Sequence, residues 1–214
     1  VITRLNINFS IVNPVFFPPP SLIFLNGVEL FHSGLIIDSI VSSTIRIVIG
    51  FAIGVLLGVI AALLIGRVEK IEFWFMPVFN MIGPIPALAL LPLFIIWFGL
   101  GIGSKLALVF LSAVFPLIVN MQAAVSNLDK DLTRVAEAYG ANRRQIFWTI
   151  ALPESVPFLL TGLRLATGRA LLGVVGAEVF GGAEGLGYLI QYAGATFQTD
   201  IVFVCVIIIA AFGM

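Results

Sequence analysis

Residues 40–65 read IVSSTIRIVIGFAIGVLLGVIAALLI, with Arg46 as their only charged side chain. A helix of about 20 apolar residues crosses a bilayer, and this run is longer. The rest of the chain cannot hide it from water. Of 214 residues, 60% are hydrophobic and 10% charged, whereas a soluble domain carries about 25% charged residues. The expected fold class is an all-α integral membrane protein, because in lipid a helix satisfies its backbone groups within one segment. The net charge is zero, which argues against a nucleic-acid surface. A single cysteine, Cys205, excludes an intramolecular disulfide. The single histidine, His32, has no second ligand pattern beside it and reads as a solvated loop residue, so no metal site is expected.

Five spans are predicted: Ile40–Ile65, Phe73–Gly99, Leu106–Met121, Val156–Val179 and Ile201–Met214. In the first, Gly50, Gly54 and Gly58 recur at every fourth position and make a smooth strip for close helix packing. Arg46, near its start, is placed to snorkel to the interface. Pro77, Pro84, Pro86 and Pro92 interrupt the second span. Proline removes a backbone donor and kinks a helix. The span is therefore either a merely kinked packing helix or a broken helix of the kind that lines transport routes. On the second reading it forms the route with the fourth span, and the candidate residues are Asn80, Pro84, Pro86, Trp97, Arg169 and Glu178. Charges at membrane depth usually mark function or a paired structural site.

Between spans lie short polar pieces, Gly66–Glu72 and Gly99–Lys105. Val1–Ser39 holds a stiff extended Phe16–Pro20 element, FFPPP, and an interfacial piece with Glu29, His32 and Asp38. Gly181–Gly187, GGAEGLG, invites a phosphate-loop reading. That reading fails, because no Lys-Ser/Thr follows and no strand precedes. A glycine-rich hinge is expected instead, followed by a semi-polar Tyr188–Thr199 stretch that re-enters the membrane edge. With no initiator Met and an apolar end at Met214, both ends are expected to continue beyond this sequence.

The one long polar island is Asp129–Pro153, DKDLTRVAEAYGANRRQIFWTIALP. It reads as two short helices. Asp129 or Asp131 caps the first, and Leu132, Val135, Ala136 and Tyr139 form one apolar stripe at i, i+3, i+4 and i+7. Gly140 breaks it. The second starts near Asn142, presents Ile146, Phe147 and Ile150 on one side, and is closed by Leu152-Pro153. Glu137 is expected to pair with Arg134 at i, i+3. With this island in the cytoplasm, six Lys/Arg (Arg67, Lys70, Lys130, Arg134, Arg143 and Arg144) lie inside, against Arg4 and Lys105 outside. Two regions result: an extracytoplasmic N-terminal segment, 1–39, and a transmembrane domain, 40–214, with cytoplasmic helices at 128–153.

Gly140 followed by Ile150 and Leu152-Pro153 resembles the EAA loop of ABC importer permeases, of the binding-protein-dependent kind. FFPPPS, GPIPALALLPLFIIWFG, LPESVPFLLTGLRLA and GAEGLGYLI extend the likeness from about Phe16 to the end. They are similar to the branch that carries sulfonates, taurine, nitrate, cyanate or bicarbonate, with thiamine-precursor permeases nearby. The chain departs where the motif places Glu-Ala-Ala, holding Arg134, Val135 and Ala136 instead, with Glu137 three positions late.

The resemblance implies a type I importer core with a sixth span before Val1, in a bacterial inner membrane. It makes the helices at 128–153 coupling helices and implies coupling to an ATPase through Leu132, Arg134, Val135, Ala136, Glu137, Tyr139, Gly140, Ala141, Ile146, Ile150, Leu152 and Pro153. The expected partners are an ATPase dimer that binds ATP-Mg, an extracytoplasmic solute-binding protein, a second and usually identical permease chain, and the lipid bilayer. The chain itself is expected to bind no cofactor and to catalyse no reaction. The rival reading is a self-sufficient secondary transporter or channel, which would predict internal repeats between the halves; none is visible.

Overall fold

A computed structural model describes residues 16–67, 69–126 and 128–213. Arg4 lies outside the described residues, as do the side chains of Arg67, Lys70 and Lys130. The described chain is helical: α1 Pro20–His32, α2 Leu35–Arg67, α3 Glu69–Ile82, a 3-10 turn Ala87–Leu90, α4 Leu91–Phe98, α5 Ile102–Ser126, α6 Lys130–Ala138, α7 Arg143–Ile146, a π-helical segment Phe147–Ala151, α8 Leu152–Gly181, α9 Leu186–Ala195 and α10 Thr199–Phe212.

Three stretches are long and apolar enough to cross a membrane, namely Leu35–Ile65, Ile102–Ala124 and Arg143–Gly181. Phe73–Ile82 and Ala87–Phe98 form a pair bent by 88°. The first span starts at Leu35 rather than Ile40, because Asp38 is accommodated in the first turn of α2, where a carboxylate favours the positive end of the helix. Pro19 is extended, as the proline run suggested, but Pro20 opens α1, since its missing N–H has no partner to lose at a first helical position. The Tyr188–Thr199 stretch is mostly α9, packed against α8 and α10. The last predicted span appears as α10, a helix of 14 residues.

α5 is the axis of the bundle. Leu108, Val109, Ala113 and Leu117 are fully buried on it. The glycine strip of α2 lies against it: an added Cβ at Gly50 would stand 2.8 Å from Val109, at Gly54 2.9 Å from Ala113, and at Gly58 3.1 Å from Leu117. On its other side α5 meets Ala166, Ala170 and Val174 of α8 in the same core. Lipid tails are as apolar as leucine, so helices hold together in a membrane by close contact, and small residues allow it. The large apolar side chains of α2, including Ile45, Ile53, Leu56 and Ile60, point outward from the chain.

The pairing order also fixes topology. Residues 50, 54 and 58 meet 109, 113 and 117, so α2 and α5 run parallel. The end of α2 and the start of α5 are therefore at opposite ends of the bundle. The segment between them must cross its full length, so the bent α3–α4 pair is one broken span and not a re-entrant loop. α8 runs the other way, since Gly162 meets Asn120 and Gly173 meets Ser112.

Gly54→Ala should lower stability by about 1–3 kcal/mol, the usual range for an overpacked core. Gly101→Ala is the control, because nothing lies within 4 Å of a Cβ there. Thermal unfolding in detergent reads the difference, and equal midpoints for the two variants would contradict the close α2–α5 seam.

Candidate functional site

The polar island forms a protrusion built almost wholly from local bonds. Asp129 caps α6, its carboxylate accepting from the N–H of Asp131 at 2.8 Å and of Leu132 at 3.3 Å. Gly140 then takes φ +83°, which a residue with a Cβ reaches only at about 1–2 kcal/mol. Its N–H and that of Ala141 donate to the carbonyls of Glu137 and Ala136, closing the helix end. Asn142 opens α7 with a reciprocal capping box to Gln145.

The predicted apolar stripe is left bare. Leu132 is 48% exposed, Val135 53% and Tyr139 89%, with Ala136 half-buried. Ala141, Ile146, Ile150 and Leu152 are half-buried, and Pro153 is exposed.

Two expectations for this loop are corrected. Arg134 pairs with Asp131 at 3.3 Å, one turn toward the N-terminus, rather than with Glu137; both are exposed, so either pairing is weak. Leu152-Pro153 also does not close the second helix. α7 continues through the π segment directly into α8. Pro153 has no N–H for the carbonyl of Thr149 four residues earlier. The chain widens there instead, the Leu152 N–H reaching back five residues to the Phe147 carbonyl.

At the elbow of the broken span, two cavities of about 320 and 360 Å³ adjoin, sharing Gly83, Phe115 and Arg169. Asn80 and Pro84 line one, and Pro86 the other. Arg169, on α8, has no ion pair or hydrogen bond among the described residues and is exposed toward both spaces. Four of the six pathway candidates thus meet in one place. Trp97 does not join them; it packs against Phe94 on α4, ring centres 6.1 Å apart.

Glu178 is the clearest departure. It faces no open route and is 0% exposed. Its Oε1 takes a 2.7 Å bond from Nη1 of Arg46, and both oxygens accept from Ser43 Oγ at 2.9 and 2.8 Å. Arg46 does not snorkel. It is buried, and its Nη1 and Nη2 also reach the carbonyl and carboxylate of Glu184 at 3.0 and 2.7 Å.

The glycine-rich turn is wrapped around this carboxylate. Gly187 N–H donates to Glu178 Oε2 at 3.0 Å, and Leu186 N–H donates to Ser43 Oγ at 2.9 Å. Gly185 has φ +107°, and a Cβ there would fall 2.4 Å from the carboxylate. The turn that looked like a hinge is a clamp on a buried anion. Among the described residues no cluster could hold a metal ion.

The profile of a family described as "binding-protein-dependent transport system inner membrane component" matches residues 54–214. The chain belongs to that family. It is 32% identical over 206 residues to the taurine transport system permease protein of Escherichia coli (strain K12), covering 94% of this chain and 75% of that one. It is 36% identical over 204 residues to a putative aliphatic sulfonates transport permease protein of Bacillus subtilis (strain 168), covering 95% and 74%. A formylaminopyrimidine transport permease protein of Halalkalibacterium halodurans is 31% identical over 201 residues, covering 94% and 80%.

The chain is thus a multi-pass membrane permease of the ABC transport type, in the sulfonate and taurine branch. The matched residues include the protrusion, both cavities and Glu178. Ser43 and Arg46 precede them.

In this permease Glu178→Ala should be strongly destabilising, by about 3–5 kcal/mol, because it removes the enclosed partner of a buried guanidinium and leaves Arg46 only the outer carboxylate of Glu184. Glu184→Gln should cost no more than about 1 kcal/mol, since its side chain is 66% exposed. Melting of the two variants in detergent would show the ranking, and a larger loss for Glu184→Gln would reverse the inner and outer roles.

Proposed function

We propose that this permease forms the route for a small anionic solute and takes its motion from a separate ATPase through residues 128–153. The observation that carries the reading is the α6 protrusion. An apolar stripe ends in a tyrosine 89% exposed, beside a glycine turn that nothing else in the described chain contacts within 4 Å of a Cβ. Its base is continuous with α8. A soluble partner seated on the stripe would push on the helix that carries Arg169.

The assembly we infer has two permease chains, identical in the simplest case, and an ATPase dimer that binds ATP-Mg on the cytoplasmic face. A solute-binding protein docks on the other face, at a bacterial cytoplasmic membrane. Sulfonate, taurine, nitrate, cyanate and bicarbonate are the solute classes in view. The taurine and sulfonates relatives support the first two of these classes, and Arg169, without a partner among the described residues, suits an anion. Family membership supports this reading over a self-sufficient carrier or channel.

Where the motif's glutamate would stand, Arg134 cannot accept from a partner arginine. Burying one apolar side chain of the stripe contributes roughly 1.5–3 kcal/mol, against about 0.2–0.5 kcal/mol for an exposed helical ion pair. Tyr139→Ala should therefore weaken capture of the ATPase by tenfold or more, given about 1.4 kcal/mol per decade. Glu137→Gln should leave it within about twofold on the same scale. Gly140→Val should insert normally yet uncouple ATP hydrolysis from uptake. Equal losses for Tyr139→Ala and Glu137→Gln, read by co-purification, would reject the apolar contact.

Arg169→Gln should lower the maximal uptake of an anionic solute by about ten- to a hundredfold. That is the range of a hydrogen bond to a charged group, roughly 1.5–3 kcal/mol. Assembly with the ATPase should be unchanged. Undiminished uptake in reconstituted vesicles would remove Arg169 from the route.

A further inference from the structure

Arg169 and Glu178 lie on the same helix nine residues apart. At 3.6 residues per turn that is about two and a half turns, so they leave α8 on opposite faces. One faces the cavities at the broken span. The other is closed against α2 and the glycine turn. Between these two faces α8 carries a small, smooth strip, Ala166, Ala170, Val174 and Ala177, all fully buried against α5 and, at Ala177, against Leu91 and Phe94 of α4. Such a strip packs well but carries no directional bond that would fix the helix's rotation. Among the described residues, Glu178 alone carries directional bonds from this buried side of α8, to Arg46 and Ser43 on α2 and to the Gly187 N–H.

We propose that Glu178 is a positioning residue for the translocation route: held by Arg46 and Ser43, it sets the rotation of α8 and so aims Arg169 at the cavities. The inference rests on the reading that Arg169 lines the route. Arg46 has two carboxylates of unlike access, Glu178 wholly enclosed and Glu184 66% exposed. The inner bond fixes the helix. The outer bond ties the same guanidinium to the turn at the end of α8 and lies within reach of solvent.

The test places single cysteines at Arg169→Cys and Ala177→Cys, with Cys205→Ala, in the transporter reconstituted with its partners. A small water-soluble thiol reagent reports the labelling rate at each position, with and without Glu178→Gln. Loss of the lock should slow labelling at 169 severalfold and speed it at 177 severalfold. The exchange Arg46→Glu with Glu178→Arg should restore both rates toward their starting values. Rates that rise together would mean general loosening and overturn the proposal, as would rates that do not change. If Glu178→Gln fails to accumulate, Glu184→Gln should give the same opposed shifts at smaller size, and parallel shifts there overturn the proposal equally. A position 169 that is inert before Glu178 is altered counts against the pathway reading instead. The rotational lock then stands or falls on position 177, which must still gain reactivity.

Discussion

The fold depends on how closely α2 and α8 can approach α5. In a bilayer, burying another leucine gains little, because lipid would have covered it as well. What remains is contact between backbones, and contact requires side chains that stay out of the way. Gly50, Gly54 and Gly58 supply that on α2, and Gly162, Ala166, Ala170 and Gly173 supply it on α8. Many of the larger residues of these helices, such as Ile53, Leu56 and Ile60 on α2 and Leu160, Leu165 and Leu172 on α8, are turned outward. This inverts the arrangement of a water-soluble bundle, where the bulk would lie inside.

α8 joins the candidate sites. Its start is continuous with the protrusion at the polar island, its middle presents Arg169, and its end carries Glu178. Proline at 153 does not separate the protrusion from the span. It sits instead where a helix tolerates it, and a wider turn takes up the unmatched carbonyl. A displacement at the protrusion therefore has a helical path to the cavities.

The sequence was most legible where the physics is local. The span at residues 40–65 and the spacing of its glycines, the Asp129 cap and the Gly140 bend each rest on neighbours within a few residues, and each appears in the structure. That the second span is interrupted was readable from its prolines, but the choice between a kink and a break needed the 88° bend, and whether it crosses the membrane needed the parallel pairing of α2 and α5. Arg46 and Glu178 were both visible as unusual charges, yet 132 positions separate them. No periodicity joins residues so far apart, so read singly one suits an interfacial side chain and the other a part of the route. Arg134 was ambiguous for a different reason: carboxylates stand three residues away on either side, and exposed pairs differ by too little to choose between them.

The repeat that lets α2 approach α5 also leaves their alignment degenerate. Gly50, Gly54 and Gly58 face 109, 113 and 117 at equal steps, so sliding α2 by four residues, about 6 Å, would again set glycines against most of the same ridge. Shape alone cannot choose between these alignments. The bond from Arg46 to Glu178 can, because a 2.7 Å contact does not survive a shift of that size, and the carboxylate left behind would be sealed from water. The buried charge acts as an index pin in a toothed track, selecting one notch among several that fit.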